Sequence, residues 1–223
     1  MSESNTKMKE EHIPQNILNL SEDKSYLVIK RCIDILFSIL GIFILFPLFV
    51  IVAILIKLED KDGPIFFKQV RVGKNEEKFV MYKFRSMVSN AEELLEQLLE
   101  NNETTGAMFK MKKDPRVTRI GSFIRKTSID ELPQLVNVLK GQMSLVGPRP
   151  PLVREVNEYT DYDKQRLLVT PGCTGLWQSS LRNSVGFKEM VELDIEYISK
   201  RSIKLDINIM LKTIVVVIRS KAY

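Results

Sequence analysis

From Ile35 to Ile56 the chain carries no charged residue and consists mostly of Ile, Leu, Phe and Val. As a helix this run reaches roughly 33 Å, enough for a hydrocarbon core of about 30 Å. A buried core helix is the bland alternative, and the length of the run weighs against it. Pro47 lies in the middle, where a proline forfeits a ladder hydrogen bond and kinks or breaks a helix at a cost of about 3 kcal/mol. Lys30 and Arg31 precede the run, while Lys57 and Glu59-Asp60-Lys61-Asp62 follow it. Basic residues on both flanks set no orientation. A kinked span and a hairpin that enters and leaves on one face both fit. Asp34, one turn from Lys30 and Arg31, is expected to pair with them at the interface.

The remaining composition narrows the chemistry. The 223 residues have a net charge of +5 and a pI near 9.1, which favours anionic partners: nucleic acid, phosphorylated small molecules or acidic lipid headgroups. Cys32 and Cys173 have no metal-type spacing and are read as free thiols in a reducing compartment. The only histidine, His12, lies in a polar arm over residues 1–24 that has no periodic apolar face and is expected to lack order. The arm does not resemble a signal peptide. With histidine out of play, catalysis falls to Asp, Glu, Lys, Arg, Ser or Tyr.

After Gly63-Pro64, the segments Ile65–Val72 and Phe79–Phe84 flank a polar turn and predict a β-hairpin. Lys68, Arg71, Lys83 and Arg85 punctuate it, either as a solvated edge or as a wall facing an anion. Ser89–Asn101 predicts an amphipathic helix with a leucine stripe. Helical patterning recurs over Leu152–Leu168 and from Phe187 to Ile198. Thr170–Gln178 reads as a glycine-marked loop carrying the only tryptophan. Lys204–Lys221 is apolar with interspersed basic residues and predicts an interfacial helix, although Thr213–Ile218 has strand propensity. Asp161-Tyr162-Asp163 has the Asp-x-Asp form used by many metal-dependent glycosyltransferases. With two fixed positions in a run of exposed charge, it is a weak signal.

The most chemically loaded stretch is Arg119–Pro151. Its acidic pair, Asp130 and Glu131, lies between Arg125 and Arg149. Leu132, Leu135, Val136 and Leu139 recur at helical spacing, with Gly141 suited to a stop. Ser128-Ile129-Asp130-Glu131 matches a capping box, which would start the helix at Ser128. A start one or two residues later keeps Pro133 within the first turn, where no N–H partner is needed. In both cases the pair lies in or beside the first turn, where free N–H groups and the dipole favour a carboxylate or a phosphate. Adjacent carboxylates repel, so arginine or a divalent metal must offset them. Capping alone is the bland explanation of such a pair.

There is no P-loop, G-x-G-x-x-G, G-x-S-x-G or zinc spacing in the chain. An acidic pair, many cations and a membrane segment suit phosphoryl transfer at a membrane surface, with aspartate as a competent nucleophile. The competing class is a membrane-tethered basic binding module without catalysis. No nucleic-acid-binding motif supports it.

Several motifs in order then resemble the bacterial sugar transferase family, the monotopic polyprenol-phosphate phosphoglycosyl transferases in their small form. They are Lys30-Arg31 with Asp34, Gly63-Pro64-Ile65-Phe66-Phe67-Lys68-Gln69, Arg71-Val72-Gly73, Tyr82–Met87, Asp114–Gly121, Arg125–Pro150 and Pro171–Gln178. The match runs from about Lys30 to Thr213. The resemblance implies transfer of sugar-1-phosphate from a UDP-sugar to polyprenol (undecaprenyl) phosphate, with release of UMP. It implies Asp130 as nucleophile, Glu131 as ligand to Mg²⁺, and Arg125 and Arg149 as phosphate-binding residues. Lys83, Arg85, Arg119 and Arg182 are further candidates for substrate contact. It also implies a re-entrant helix broken at Pro47, with the catalytic domain on the cytoplasmic face of a bacterial membrane. Phe46 stands where the family often has serine, and Leu181 where many relatives have glycine before Arg182. The expected fold is a small mixed α/β domain with a β-hairpin, several amphipathic helices and the re-entrant helix. Its parts are an arm (1–24), a membrane helix (25–58) and a catalytic domain (59–223). The expected partners are the UDP-sugar, the polyprenol phosphate and the membrane, with no nucleic acid; a homo-oligomer stays open.

Overall fold

The computed structural model describes residues 23–91, 93–94, 114–180 and 186–219. Residues 1–22 of the N-terminal arm, most of the helix expected over Ser89–Asn101, and Arg182 lie outside the described residues. Within them the chain is mixed α/β.

Helix α1 spans Lys24–Glu59 over 36 residues, about 54 Å. Asp23 caps it, its carboxylate accepting from the Ser25 and Tyr26 amides. The helix runs unbroken through Pro47, so the expected break is absent. A proline removes one ladder bond, and packing on both sides of it opposes a break. Tyr26, Asp34, Ser38, Val52 and Ile56 are buried and Lys30, Gly41, Leu45 and Leu48 half-buried, one stripe at spacings of three and four residues. The opposite face is apolar and bare: Phe43 is 79 % exposed, and Leu36, Ile44, Phe46 and Ile54 are exposed too. The helix is long and apolar enough to cross a membrane.

Strands β1 (Phe66–Val72) and β2 (Lys78–Phe84) form the expected antiparallel hairpin, with Val70 opposite Val80 and Arg71 opposite Phe79. Alternation sends Arg71, Phe79 and Met81 inward and leaves Phe66, Val70 and Val80 outside. Helix α2 (Arg119–Lys126) is capped by the Thr118 hydroxyl, which accepts from the Gly121 amide. Gly121 lets α2 approach the end of the hairpin closely, since a Cβ there would sit 1.9 Å from the Ser86 carbonyl oxygen. A 3₁₀ turn at Ile129–Glu131 leads into α3 (Gln134–Leu139), which ends before Gly141 at φ +78°. The glycine stop occurs where expected.

Strand β3 (Ser144–Val146) pairs in parallel with β4 (Gly172–Thr174), inside the stretch that reads as a loop. Two three-residue strands are too short to show alternation. The expected helix over Leu152–Leu168 is divided into α4 (Val153–Val156), α5 (Asp161–Lys164) and a 3₁₀ turn at Gln165–Leu168. Thr160 restarts it by capping α5. Helices α6 (Phe187–Lys200) and α7 (Ile203–Arg219) close the fold, and helix prevails over strand propensity at Thr213.

Both halves of α1 contact the domain. Val52 and Ile56 pack with Phe84 and Ile124. At the other end Tyr26 and Lys30 donate to Asp206 on α7, at 3.0 and 2.9 Å. Arg31 donates to the Val138 and Leu139 carbonyls, closing the open end of α3. Asp34 does not pair with Lys30 or Arg31 as expected; its carboxylate accepts from the Ser144 hydroxyl and the Leu145 amide.

Candidate active site

The acidic pair lies in the 3₁₀ turn between α2 and α3. Ser128 takes a left-handed conformation (φ 57°), an uncommon state for a non-glycine residue, and turns the chain sharply after α2. Its side chain caps nothing, and the Glu131 carboxylate reaches Lys83 rather than back to Ser128. The capping-box reading is therefore overturned, because a left-handed Ser128 lacks the extended backbone of a cap. The helix starts later than either reading has it, at Gln134 with Pro133 immediately before it, so the acidic pair lies in the preceding 3₁₀ turn.

Asn137 locks this turn to the hairpin. Fully buried, it accepts from the Tyr82 amide at 3.1 Å and donates to the Val80 carbonyl at 2.6 Å and to Gln142 at 2.9 Å. Strand β2 then carries Lys83 to the acidic pair, where its Nζ is 2.5 Å from Glu131 Oε1. The Asp130 carboxyl is buried and its pKa is pushed up to about 6. Burial is the main cause; Lys83 and Arg125 oppose it, and the Glu131 charge adds to it. Asp130 thus remains mostly ionised at neutral pH while being desolvated and basic enough to react.

The cationic side continues into the next loop. Arg71, buried on β1, donates Nη1 to the Pro150 carbonyl at 3.0 Å and Nε and Nη2 to Gln69 Oε1 at 3.0 and 2.6 Å. Burial and the Arg149 charge lower its pKa to about 10, while Glu155 and Glu131 oppose the shift. Arg149 is partly exposed, with Nη1 3.7 Å from Glu155 Oε2. Arg71 thus feels both Glu131 and the Pro148-Arg149-Pro150 segment.

A family model described as bacterial sugar transferase matches residues 25–220. The chain belongs to that family. It is 51 % identical over 197 residues to the galactosyl transferase CpsE of Streptococcus agalactiae, covering 87 % of this chain and 43 % of that protein. Against the undecaprenyl-phosphate galactose phosphotransferase of Salmonella typhimurium it is 44 % identical, with 91 % and 43 % covered. Against the exopolysaccharide production protein ExoY of Sinorhizobium fredii it is 41 % identical, with 86 % of each chain covered. The chain therefore spans under half the length of the first two relatives and most of the third.

The remaining candidate residues of this sugar transferase divide by location. Lys83 pairs with Glu131, the charges of Lys83, Glu131 and Arg125 act on Asp130, and Arg149 adjoins the Pro150 carbonyl that Arg71 holds. Arg85 is only 6 % exposed and is spent on Asp60: Nη1 donates to Oδ2 at 3.0 Å and Nη2 to the carbonyl at 2.6 Å. It anchors the end of α1. Arg119 opens α2, about 9 Å along the axis from Arg125, with its backbone amide donating to Glu59. In the Asp-x-Asp sequence, Asp163 accepts from the Thr160 amide and hydroxyl as part of a cap. Among the described residues no three His, Cys, Asp or Glu side chains converge as a metal site. Cys32 and Cys173 are free thiols. The sequence alone assigns no role to Gln69, Asn137 or Glu155; a polar residue among apolar neighbours is the visible signal at Gln69 and Asn137, and Glu155 has none in its mixed charged run.

Proposed function

We propose that this sugar transferase moves a sugar-1-phosphate from a UDP-sugar to polyprenol phosphate, as the first membrane step of surface polysaccharide or glycoconjugate synthesis. The Asp130 carboxylate attacks the phosphorus next to the sugar. The phosphoanhydride bond breaks, UMP leaves with the bridging oxygen, and an acyl phosphate carries the sugar on Asp130. An oxygen of polyprenol phosphate then attacks the same phosphorus, forming the polyprenol diphosphate sugar and freeing the carboxylate. The observation that carries this reading is the buried, still ionisable Asp130 among Lys83, Arg125 and Glu131.

Each neighbouring residue has a task that fits its position. Lys83 holds Glu131 and helps keep Asp130 ionised. Arg125 and Arg149 bind phosphate oxygens, for which a planar guanidinium is suited. Adjacent carboxylates fit magnesium, which takes one or two protein carboxylates and completes its shell with water and substrate phosphate. Glu131, beside Asp130, would hold it. When bound, Mg²⁺ neutralises charge on the diphosphate.

Contact between the domain and both halves of α1 supports an attachment that keeps both ends of the helix on the cytoplasmic face, with α1 continuous through Pro47 rather than broken there, because a crossing normal to the bilayer would carry one half of the helix away from the domain. The names of the S. typhimurium and Erwinia amylovora relatives, the latter a UDP-galactose-lipid carrier transferase, support the donor and acceptor classes. Purified protein with a panel of UDP-sugars, Mg²⁺ and undecaprenyl phosphate should release UMP, and Asp130→Asn should release none. No release with any donor would refute the reaction; UMP release by Asp130→Asn would remove the nucleophile.

A further inference from the structure

Arg71 presents a physical puzzle. It is a guanidinium 6 % exposed, close enough to Arg149 for the two charges to oppose one another, yet its hydrogen bonds go to neutral oxygens. Burying a cation beside another cation is costly. Its fork is nonetheless directed by its three nitrogens: Nη1 grips the Pro150 carbonyl, while Nε and Nη2 converge on Gln69 Oε1. The adjoining backbone is joined to the same loop, with the Val72 amide donating to the Pro151 carbonyl at 3.0 Å and Arg71 bridging to Leu152. Pro148, Pro150 and Pro151 have no N–H of their own. The loop carrying Arg149 must therefore be held largely through its carbonyls: the Gly172 amide of β4 donates to Pro148, while Arg71 and Val72 of β1 donate to Pro150 and Pro151.

We propose that Arg71 is a positioning residue that fixes the Pro148–Pro151 loop, and hence Arg149, against the hairpin. Gln69 orients the Arg71 fork. This rests on the phosphate-binding role given to Arg149 in the proposed function. A lysine in place of Arg71 keeps the charge but cannot span the two acceptors in one plane, so geometry rather than charge is what the site uses. The role also accounts for the burial: an arginine reaching for substrate would need access, whereas one holding a carbonyl does not.

The test compares UMP release by wild type, Arg71→Ala, Arg71→Lys, Arg149→Ala and the Arg71→Ala/Arg149→Ala double variant. Amide exchange is followed over residues 144–153 and, as a reference, over 129–139. Arg71→Ala and Arg71→Lys should each lose on the order of 10²-fold in kcat/KM. The double variant should be no worse than Arg149→Ala within about threefold, because two residues acting through one contact are not additive. Exchange should rise at Gly147, Arg149 and Leu152 in both Arg71 variants and stay unchanged over the reference segment. Losses that multiply, near-normal activity in Arg71→Lys, or unchanged loop exchange would each overturn the proposal. An unimpaired Arg149→Ala, or an inactive wild type, would instead refute the functional reading, while loop exchange still decides whether Arg71 positions the loop. If Arg71→Ala does not fold, Gln69→Ala and Arg71→Lys carry the same comparison, with Gln69→Ala showing a smaller loss.

Discussion

Asp130 has an ordinary carboxylate raised to about 6 by its surroundings, and two outcomes follow from the sign of that shift. In the proposed reaction the ionised form attacks, so kcat/KM should fall about tenfold per unit as pH drops below 6. Lys83 lowers this pKa, so Lys83→Met should move the acid limb to higher pH, as read from the pH dependence of UMP release. For stability the sign is reversed. A raised acid binds its proton more tightly in the folded state than in the unfolded one, where the value is near 3.8. Folding therefore gains stability as pH falls from about 6 towards 4 and bears the full penalty above 6. Asp130→Asn removes that penalty and should stabilise the inactive protein by roughly 1–3 kcal/mol at pH 7, with a smaller gain at pH 4. Denaturation in detergent at both pH values checks it. A residue that costs stability is what the proposed nucleophile should be, a group held for chemistry.

Between elements, the joint that matters is that of α3 with β2. Asn137 bonds both faces of its amide to the hairpin backbone and to Gln142, in full burial. Asn137→Ala would strand the Tyr82 amide and the Val80 carbonyl, at about 1–3 kcal/mol for each group left unpaired. It should lower the thermal midpoint and reduce UMP release even though Asn137 touches no reacting atom, because Lys83 on β2 and the turn bearing Asp130 lose their shared register. At this scale the sequence was only partly legible. The hairpin, the end of α3 at Gly141 and the amphipathic α6 and α7 follow from local pattern. The pairing of β3 with β4 does not, since three residues carry no period. The division at Thr160 was likewise hidden, because a cap inside an apolar, charged run looks like one more polar residue.

For the whole molecule, the question is how α1 meets the lipid. Its buried stripe runs from Tyr26 to Ile56 and its opposite face is bare and apolar, so one side grips the domain while the other is suited to a hydrocarbon environment. Exposed Phe123 and Val136, with Ile207, Leu211, Ile214 and Val215 of α7, add apolar surface on the domain itself. In a re-entrant arrangement both ends of α1 lie on one side of the bilayer. Single cysteines at Lys24 and Lys61, introduced with Cys32→Ser, should both react with an impermeant thiol reagent in sealed inside-out vesicles. Labelling of one end only after permeabilisation would establish a crossing instead.

The sequence by itself determined whatever depends on residues near one another along the chain: a membrane-length apolar helix, a hairpin, and an acidic pair beside a helix start flanked by arginines. Those are matters of periodicity, turn residues and local charge. Only the tertiary structure decided which cations serve that pair. Lys83 reaches Glu131 across 48 positions, Arg85 turns away to Asp60, and Arg71 crosses 79 positions to the Pro150 carbonyl. It also decided the state of Asp130, since desolvation depends on everything folded around a carboxyl and not on its neighbours in the chain.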